Sequence, residues 1–337
     1  YYFILVIHGE TWYYGNNEEG FGGIGVLSKE VPKGYQITLY KPVAIPEWFK
    51  KGIIYQIYVD RFYNGNEDGE VLNPKAKSLI HGDWYDTPFY LKTPEGRIFR
   101  WDFFGGNLKG VIKKIAYLKE LGVSIIYFNP IFESASNHKY DVGDFLKIDS
   151  MYGDIEDFRN LVASCEQAGI KIILDGVFNH TGSSSLYFNK YGTYPGPGAF
   201  QGEDSPYYHW YSFDHQDNTY KSWWGVDDLP EVNKANGEFQ DFIYKGEDSV
   251  IKTWLREGVK GWRLDVVDEL PDYFVRELKT SLKAVDPEGV LIGEVWEDAS
   301  NKVSYGKQRE YFSGYELDSA MNYPFRETLI KYFLYEE

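Results

Sequence analysis

Ile170-Lys-Ile-Ile-Leu-Asp175 and Val259-Lys-Gly-Trp-Arg-Leu-Asp265 share one pattern, a short and largely apolar run that stops at a carboxylate. Such runs read as strands buried on both faces, because apolar residues fill consecutive rather than alternate positions. Similar runs occupy residues 53–59, 123–128 and 290–295, with a weaker one at 315–321. Helical periods separate them. Leu108, Val111, Ile112, Ile115, Leu118 and Leu121 keep one such period. Ile155, Phe158, Leu161, Val162 and Cys165 keep another, behind an Asp154 suited to cap the helix start. Further helices are expected over residues 250–256 and 273–285. Strands buried on both faces and joined by helices make a parallel α/β sheet of βα units.

That rhythm breaks between residues 181 and 240, a stretch rich in Gly, Pro, Tyr and Trp that is far longer than an ordinary connection. It reads as a subdomain inserted after the third strand. Its aromatic tracts, Tyr207-Tyr-His-Trp-Tyr211 and Trp223-Trp224, suit equally a cleft wall and the insertion's own core. Residues 1–48 differ again, with β-type runs at 1–7, 12–14 and 35–40 between turn signals, then prolines at 42 and 46. They read as the end of an N-terminal β-domain and a linker, with residues 49–337 as a partial catalytic barrel. The chain is expected to lack its own beginning, since it opens inside a strand.

The 337 residues suffice for one large domain and a smaller one. Lys and Arg total 35 against 51 Asp and Glu, a net charge of −16. Such a surface repels phosphate backbones and anionic bilayers, so neither nucleic acid nor membrane is an expected partner. The first seven residues are too short to span a bilayer and lack the basic start and cleavage site of a signal peptide. A cytoplasmic or a secreted enzyme remains open. Cys165 is the one cysteine and sits on the buried face of its helix, which excludes an internal disulfide framework. Aromatic residues make up 18% of the chain, more than a core requires, and favour a ligand with apolar faces and many hydroxyls.

The strand-end residues carry the chemistry. Asp175, Arg263, Asp265 and Glu294 all end apolar runs and would meet at one barrel mouth, although they are distant in sequence. Arg263 and Asp265, two apart, project to the same side of a strand, and the guanidinium is expected to keep that carboxylate ionised as a nucleophile. Glu294 leaves a dry strand and is suited to hold a proton as general acid. Two carboxylates with divided roles are what glycosidic cleavage needs.

Asp175-Gly-Val-Phe-Asn-His180, Gly261-Trp-Arg-Leu-Asp-Val-Val-Asp-Glu269 and Gly293-Glu-Val-Trp296 resemble three of the four signature segments of the α-amylase family of glycoside hydrolases. Tyr55-Gln-Ile-Tyr-Val-Asp-Arg-Phe62, Phe128-Asn-Pro-Ile-Phe132, Asn137-His-Lys-Tyr-Asp141 and Leu229-Pro-Glu-Val-Asn233 support the resemblance, in family order. It implies a (β/α)8 TIM barrel with an insertion after strand three that acts on α-glucans with retention. By position, Asp265 is the implied nucleophile, Glu294 the acid and base, and Arg263 the group that orients Asp265. His180 and His138 would hydrogen-bond the sugar, with Tyr140 stacked on it, Asp175 supporting Arg263 and Glu269 in the substrate-binding set. Asp268-Glu269 stands where many relatives carry Lys-His, which is closer to the neopullulanase and cyclomaltodextrinase branch.

The resemblance also implies a barrel truncated after about six strands, without the fourth signature segment. This piece alone is therefore expected to be inactive and prone to self-association. The expected activity is hydrolysis of α-1,4 bonds in maltooligosaccharides, cyclodextrins, pullulan or starch, against an α-glucan transglycosylase or an inactive glucan-binding fragment. Oxygen-bearing side chains at Asn64, Asn66 and Asp68, joined by Gly82 and Asp83, suggest a structural calcium ion, as similar enzymes carry one after the first strand.

Overall fold

The structure, a computed structural model, describes residues 1–18, 20, 22–76, 78–214 and 219–335. At its centre run six parallel strands: β1 (Ile54–Ile57), β2 (Ile125–Phe128), β3 (Lys171–Gly176), β4 (Gly261–Leu264), β5 (Val290–Gly293) and β6 (Ser319–Ala320). They lie side by side in chain order, so β1 and β6 are the two edges of the sheet. Among the described residues this is the six-stranded part of a (β/α)8 barrel.

The consecutive apolar residues are explained by burial on both faces. Ile126, Phe128, Ile172, Leu174, Trp262, Leu264 and Leu291 face the helical layer, while Ile125, Tyr127, Ile173, Val290 and Ile292 pack inside with Trp48, Phe49 and Met321. Each such aliphatic side chain contributes roughly 1.5–3 kcal/mol relative to exposure. Close packing also fixes glycine at the end of β5, where a Cβ on Gly293 would lie 2.4 Å from Leu317 Cδ1.

The α-helices of six residues or more among the described residues are α1 (Leu108–Lys113), α2 (Ile115–Glu120), α3 (Ile155–Ala168), α4 (Val250–Arg256), α5 (Asp272–Val285) and α6 (Tyr323–Tyr335). The period over 108–121 gives two helices rather than one, because Lys114 leaves the helical region with φ −99° and ψ 3°. Asp154 caps α3 through a reciprocal pair with Asp157, and Gly169 ends it at φ +75°. Cys165 is buried on this helix, and burial pushes its thiol up to about 12. None of the described α6 side chains is buried.

Residues 3–7, 10–15 and 26–28 form an antiparallel sheet. The strand expected at 35–40 is absent: after Tyr35 donates to Tyr1 O, the chain crosses to the barrel, where Lys41 N–H donates to Ser313 O. Two long excursions rise from the barrel. The insertion over 181–240 has its own aromatic core, in which Tyr187 stacks on Trp210 at 5.4 Å. Trp210 and Tyr211 are buried there, so the tract at 207–211 packs the insertion, whereas Trp223 and Trp224 turn to the barrel mouth. The other excursion, between β1 and α1, carries strands Ser78–Ile80, Leu91–Lys92 and Ile98–Phe103 and was not legible as structure in the sequence.

Candidate active site

Strand register sets the site. Asp175 on β3 pairs with Arg263 on β4, and Leu264 pairs with Gly293 on β5. Beyond the strand ends the ladder continues for one more step, with Asp265 N–H donating to Gly176 O at 3.1 Å and Glu294 N–H to Leu264 O at 3.0 Å. Backbone hydrogen bonds between adjacent strands thus place the four residues at the carboxyl ends of β3, β4 and β5, the face on which such barrels build their sites.

Arg263 is the hub. Its Nη1 donates to Asp175 Oδ1 at 2.8 Å and to Asp265 Oδ1 at 2.9 Å, and its Nη2 lies 2.7 Å from Glu294 Oε1. All four side chains are buried. One guanidinium is therefore divided among three carboxylates rather than given to Asp265 alone. Burial pushes the Asp265 carboxyl well above the usual carboxylate range; Arg263 opposes this, while Asp175 and Glu294 add to it. Burial raises Asp175 too, against Arg263 and a hydrogen bond from Tyr127.

Glu294 is fixed on three sides. Besides Arg263, its Oε2 accepts the Val266 N–H at 2.8 Å and its Oε1 the Tyr323 hydroxyl at 3.2 Å. Val266 follows Asp265 in the left-handed region, at φ +38° and ψ 56°. A β-branched residue held there costs about 1–3 kcal/mol, and the turn it makes aims its N–H at Glu294.

Tyr140 joins the group directly, its hydroxyl donating to Asp175 Oδ2 at 3.1 Å. His138 stands behind it, Nδ1 accepting the Tyr140 N–H at 3.1 Å and the two rings lying nearly parallel at 6.0 Å. His180 is buried and stacks on Trp223 at 5.3 Å. Burial lowers it to about 3, so it is neutral. Glu269 does not touch the carboxylate group; Trp223, Trp224 and Tyr305 all donate to it. Sequence reasoning missed Tyr127, whose hydroxyl donates to Asp175 Oδ2 at 2.5 Å, and Tyr323. Tyr127 lies within an apolar run and gives no signal apart from core packing.

A cavity of about 240 Å³ adjoins Glu294, lined by Val266, Glu269, Trp224, Trp296 and Tyr305. Another, of about 440 Å³, opens on the inner side of the sheet at Tyr127, Arg263, Met321 and Tyr323.

The five expected calcium ligands do not form one group. Asn64 Nδ2 donates to Gly69 O at 2.9 Å and Asn66 Nδ2 to Glu70 O at 2.6 Å, while Asp68 Oδ1 accepts the Glu70 N–H. The distant residue that meets Asn64 is Asn107, Nδ2 to Oδ1 at 3.1 Å. Asp83, next to Gly82, instead accepts the Tyr85 N–H within its own turn. No cluster of three His, Cys, Asp or Glu side chains able to hold a metal occurs among the described residues.

The profile of the family described as "Alpha amylase, catalytic domain" matches residues 56–336, and the chain belongs to that family. It is similar to an amylopullulanase of Thermoanaerobacterium saccharolyticum, 41% identical over 370 residues, covering 99% of this chain and 28% of that protein. It is also similar to neopullulanase 2 of Thermoactinomyces vulgaris, 34% identical over 341 residues, covering 99% of this chain and 52% of that protein. The chain thus spans about a quarter to a half of the length of these relatives, which support the neopullulanase and cyclomaltodextrinase branch. Among solved structures, the cyclic α-maltosyl-(1→6)-maltose hydrolase of Arthrobacter globiformis, in complex with that sugar, superposes with a TM-score of 0.70 at 29% identity over 86% of this chain and 59% of that one. Among the described residues, no helix is long and apolar enough to cross a membrane.

Proposed function

We propose that this chain carries the catalytic face of a retaining hydrolase that cuts α-1,4-glucosidic bonds in maltooligosaccharides, cyclodextrins or pullulan. The observation that carries this reading is the Arg263 guanidinium bound at once to Asp175, Asp265 and Glu294 on three adjacent strand ends. Asp265 attacks the anomeric carbon while Glu294 gives its proton to the departing glucosidic oxygen. The bond to the leaving sugar breaks and a covalent glucosyl ester forms. Water then attacks that ester, Glu294 takes a proton from it, and Asp265 leaves with the net configuration retained. Arg263 orients both carboxylates and holds Asp175 as its rigid counter-charge. Tyr140 and His138 line one end of the site, with Tyr140 offering its ring to a sugar face.

The test is chromatography of products from maltoheptaose, a cyclodextrin and pullulan with the full-length protein, alongside Asp265→Asn and Glu294→Gln. Each substitution is expected to lower turnover by on the order of 10³-fold or more. With an activated substrate whose leaving group needs little protonation, Glu294→Gln recovers glycosylation more than Asp265→Asn does. Wild-type turnover in either pure variant overturns the assignment. Longer oligosaccharides among the products, in place of shorter ones, would make the protein a transglycosylase using the same intermediate.

We also propose a calcium ion in the loop of residues 64–70. The carbonyls of Gly69 and Glu70 supply hard oxygen donors, and Asn66 supplies another when its amide presents oxygen instead of nitrogen to the same point, while Asn64 shapes the loop, its Oδ1 accepting the Asn66 N–H and the Asn107 amide. Its role would be structural, since no residue of this loop contacts Asp265 or Glu294.

A further inference from the structure

We infer that Glu269 is a positioning residue, a latch that holds an aromatic wall across the site, and that it does not itself bind sugar. The inference rests on the proposed glucan-cleaving role for its kinetic consequence, though not for its structural one.

Four rings run continuously from one end of the site to the other. His180 stacks on Trp223 at 5.3 Å, Trp223 stacks on Trp224 at 5.2 Å, and Trp224 meets Trp296 edge to face at 5.6 Å. Trp296 lies two residues after Glu294, so the wall ends beside the proposed acid. Little apolar packing holds its outer half: Trp224 is 67% exposed and Trp296 45% exposed. Trp224 is also in the left-handed region, at φ +52°, which a bulky residue adopts only when its surroundings impose it.

Glu269 supplies what imposes it. Its Oε1 accepts the indole N–H of Trp223 at 3.3 Å and that of Trp224 at 3.2 Å, and its Oε2 accepts the Tyr305 hydroxyl at 2.6 Å. These three donors come from two separate pieces of chain. Trp223 and Trp224 belong to the insertion, and Tyr305 sits at the tip of the hairpin that pairs residues 303–304 with 307–308 after β5. Tyr305 is 74% exposed, so this hydrogen bond rather than packing anchors its ring. The carboxylate thus ties the insertion to the loop that carries the acid, and both of its oxygens are already in use. Trp224, Trp296 and Tyr305 then form walls of the cavity next to Glu294, where a departing saccharide would lie. A wall held this way governs how well longer substrates seat, while the bond-breaking groups, which Glu269 does not touch, keep their geometry.

The test uses the full-length protein with Glu269→Leu, which has a similar volume and no atom able to accept any of these bonds, and Glu269→Asp, which keeps the charge on a shorter arm. In Glu269→Leu, acrylamide quenching of tryptophan fluorescence should rise as Trp224 is released, with Glu269→Asp between it and wild type. KM for maltoheptaose should rise about tenfold, and kcat should change less than threefold, as expected for losing hydrogen bonds to a charged group that acts on binding. Combining Glu269→Leu with Trp224→Phe or Tyr305→Phe should cost little beyond the single change, because the partners act as one unit. Unchanged quenching, additive double variants or a loss confined to kcat would each overturn the latch. If the wild type cleaves no glucan, the proposed function fails, but the quenching result still decides the latch. If Glu269→Leu does not fold, Tyr305→Phe tests the same bond from its exposed end.

Discussion

Arg263 Nη2 lies 2.7 Å from Glu294 Oε1 while the same side chain's Nη1 holds Asp265 at 2.9 Å, so one planar group spaces the proposed acid from the proposed nucleophile. A rigid fork can do this and a flexible ammonium cannot. Geometry and charge in the site therefore depend on a single residue.

Arg263→Lys is expected to lower kcat/KM by on the order of 10³-fold while the protein remains folded, because a lysine keeps the charge but cannot reach three carboxylates at once. With less compensation for each buried carboxylate, the acid limb of the pH–rate profile should move to higher pH. Steady-state kinetics across pH checks this. An unmoved acid limb would show that the guanidinium does not set the charge state of the group.

Asp265→Asn should be at least as stable as wild type near neutral pH. The folded carboxyl is pushed above its unfolded value, so the folded state binds more protons, and stability falls as pH rises from the ordinary carboxylate range through the raised value. The amide has no such penalty. Thermal melts of both proteins should show the variant's advantage widening from about pH 4 to pH 7 and vanishing below the usual carboxylate pKa. A variant less stable at neutral pH than at low pH, relative to wild type, contradicts the direction.

His180 behaves in the opposite sense. Burial lowers it to about 3, so the unfolded chain takes up a proton that the folded one refuses, and stability is lost as pH drops from about 6.5 toward 3. This residue contributes at most about 1.4 kcal/mol per pH unit in that window. Replacing it with Gln should flatten the acid side of the stability profile measured by urea denaturation. An unchanged slope would place the sensitive group elsewhere.

Calcium, if held in the loop of residues 64–70, should bind with measurable heat to the wild type and not to the Asn64→Ala, Asn66→Ala pair. Asp83→Ala should bind as wild type does, since Asp83 serves its own turn. Equal affinity in the double variant, measured by calorimetry, would remove the site.

The barrel strands were legible because burial on both faces leaves unbroken apolar runs, as at residues 172–174 and 290–293, and a polar residue at their ends marks where the sheet stops. The meeting of Asp175, Arg263, Asp265 and Glu294 followed from that, since parallel strands bring their carboxyl ends together. What depended on long-range approach was not legible. Tyr127 reads as core until Asp175 is seen to take its hydroxyl, and Val266 shows its strained turn only through its φ. The pairing of Asn64 with Asn107, in place of Asp83, comes from the path of the excursion over 58–107, which carries little periodicity. Lys114, an ordinary helix former, breaks a helix that its neighbours' spacing makes continuous.

The in-register pairs Asp175 with Arg263 and Leu264 with Gly293 have a bearing on how such a protein can change its diet. The proposed reaction chemistry is written into three neighbouring strands, whereas two excursions rise outside those strands, after β1 at 58–107 and after β3 at 181–240. Exchanging either excursion leaves the backbone ladder beneath the carboxylates untouched. Substrate choice can therefore drift while the cleavage machinery stands still, provided the newcomer still offers the barrel something for Glu269 to grip.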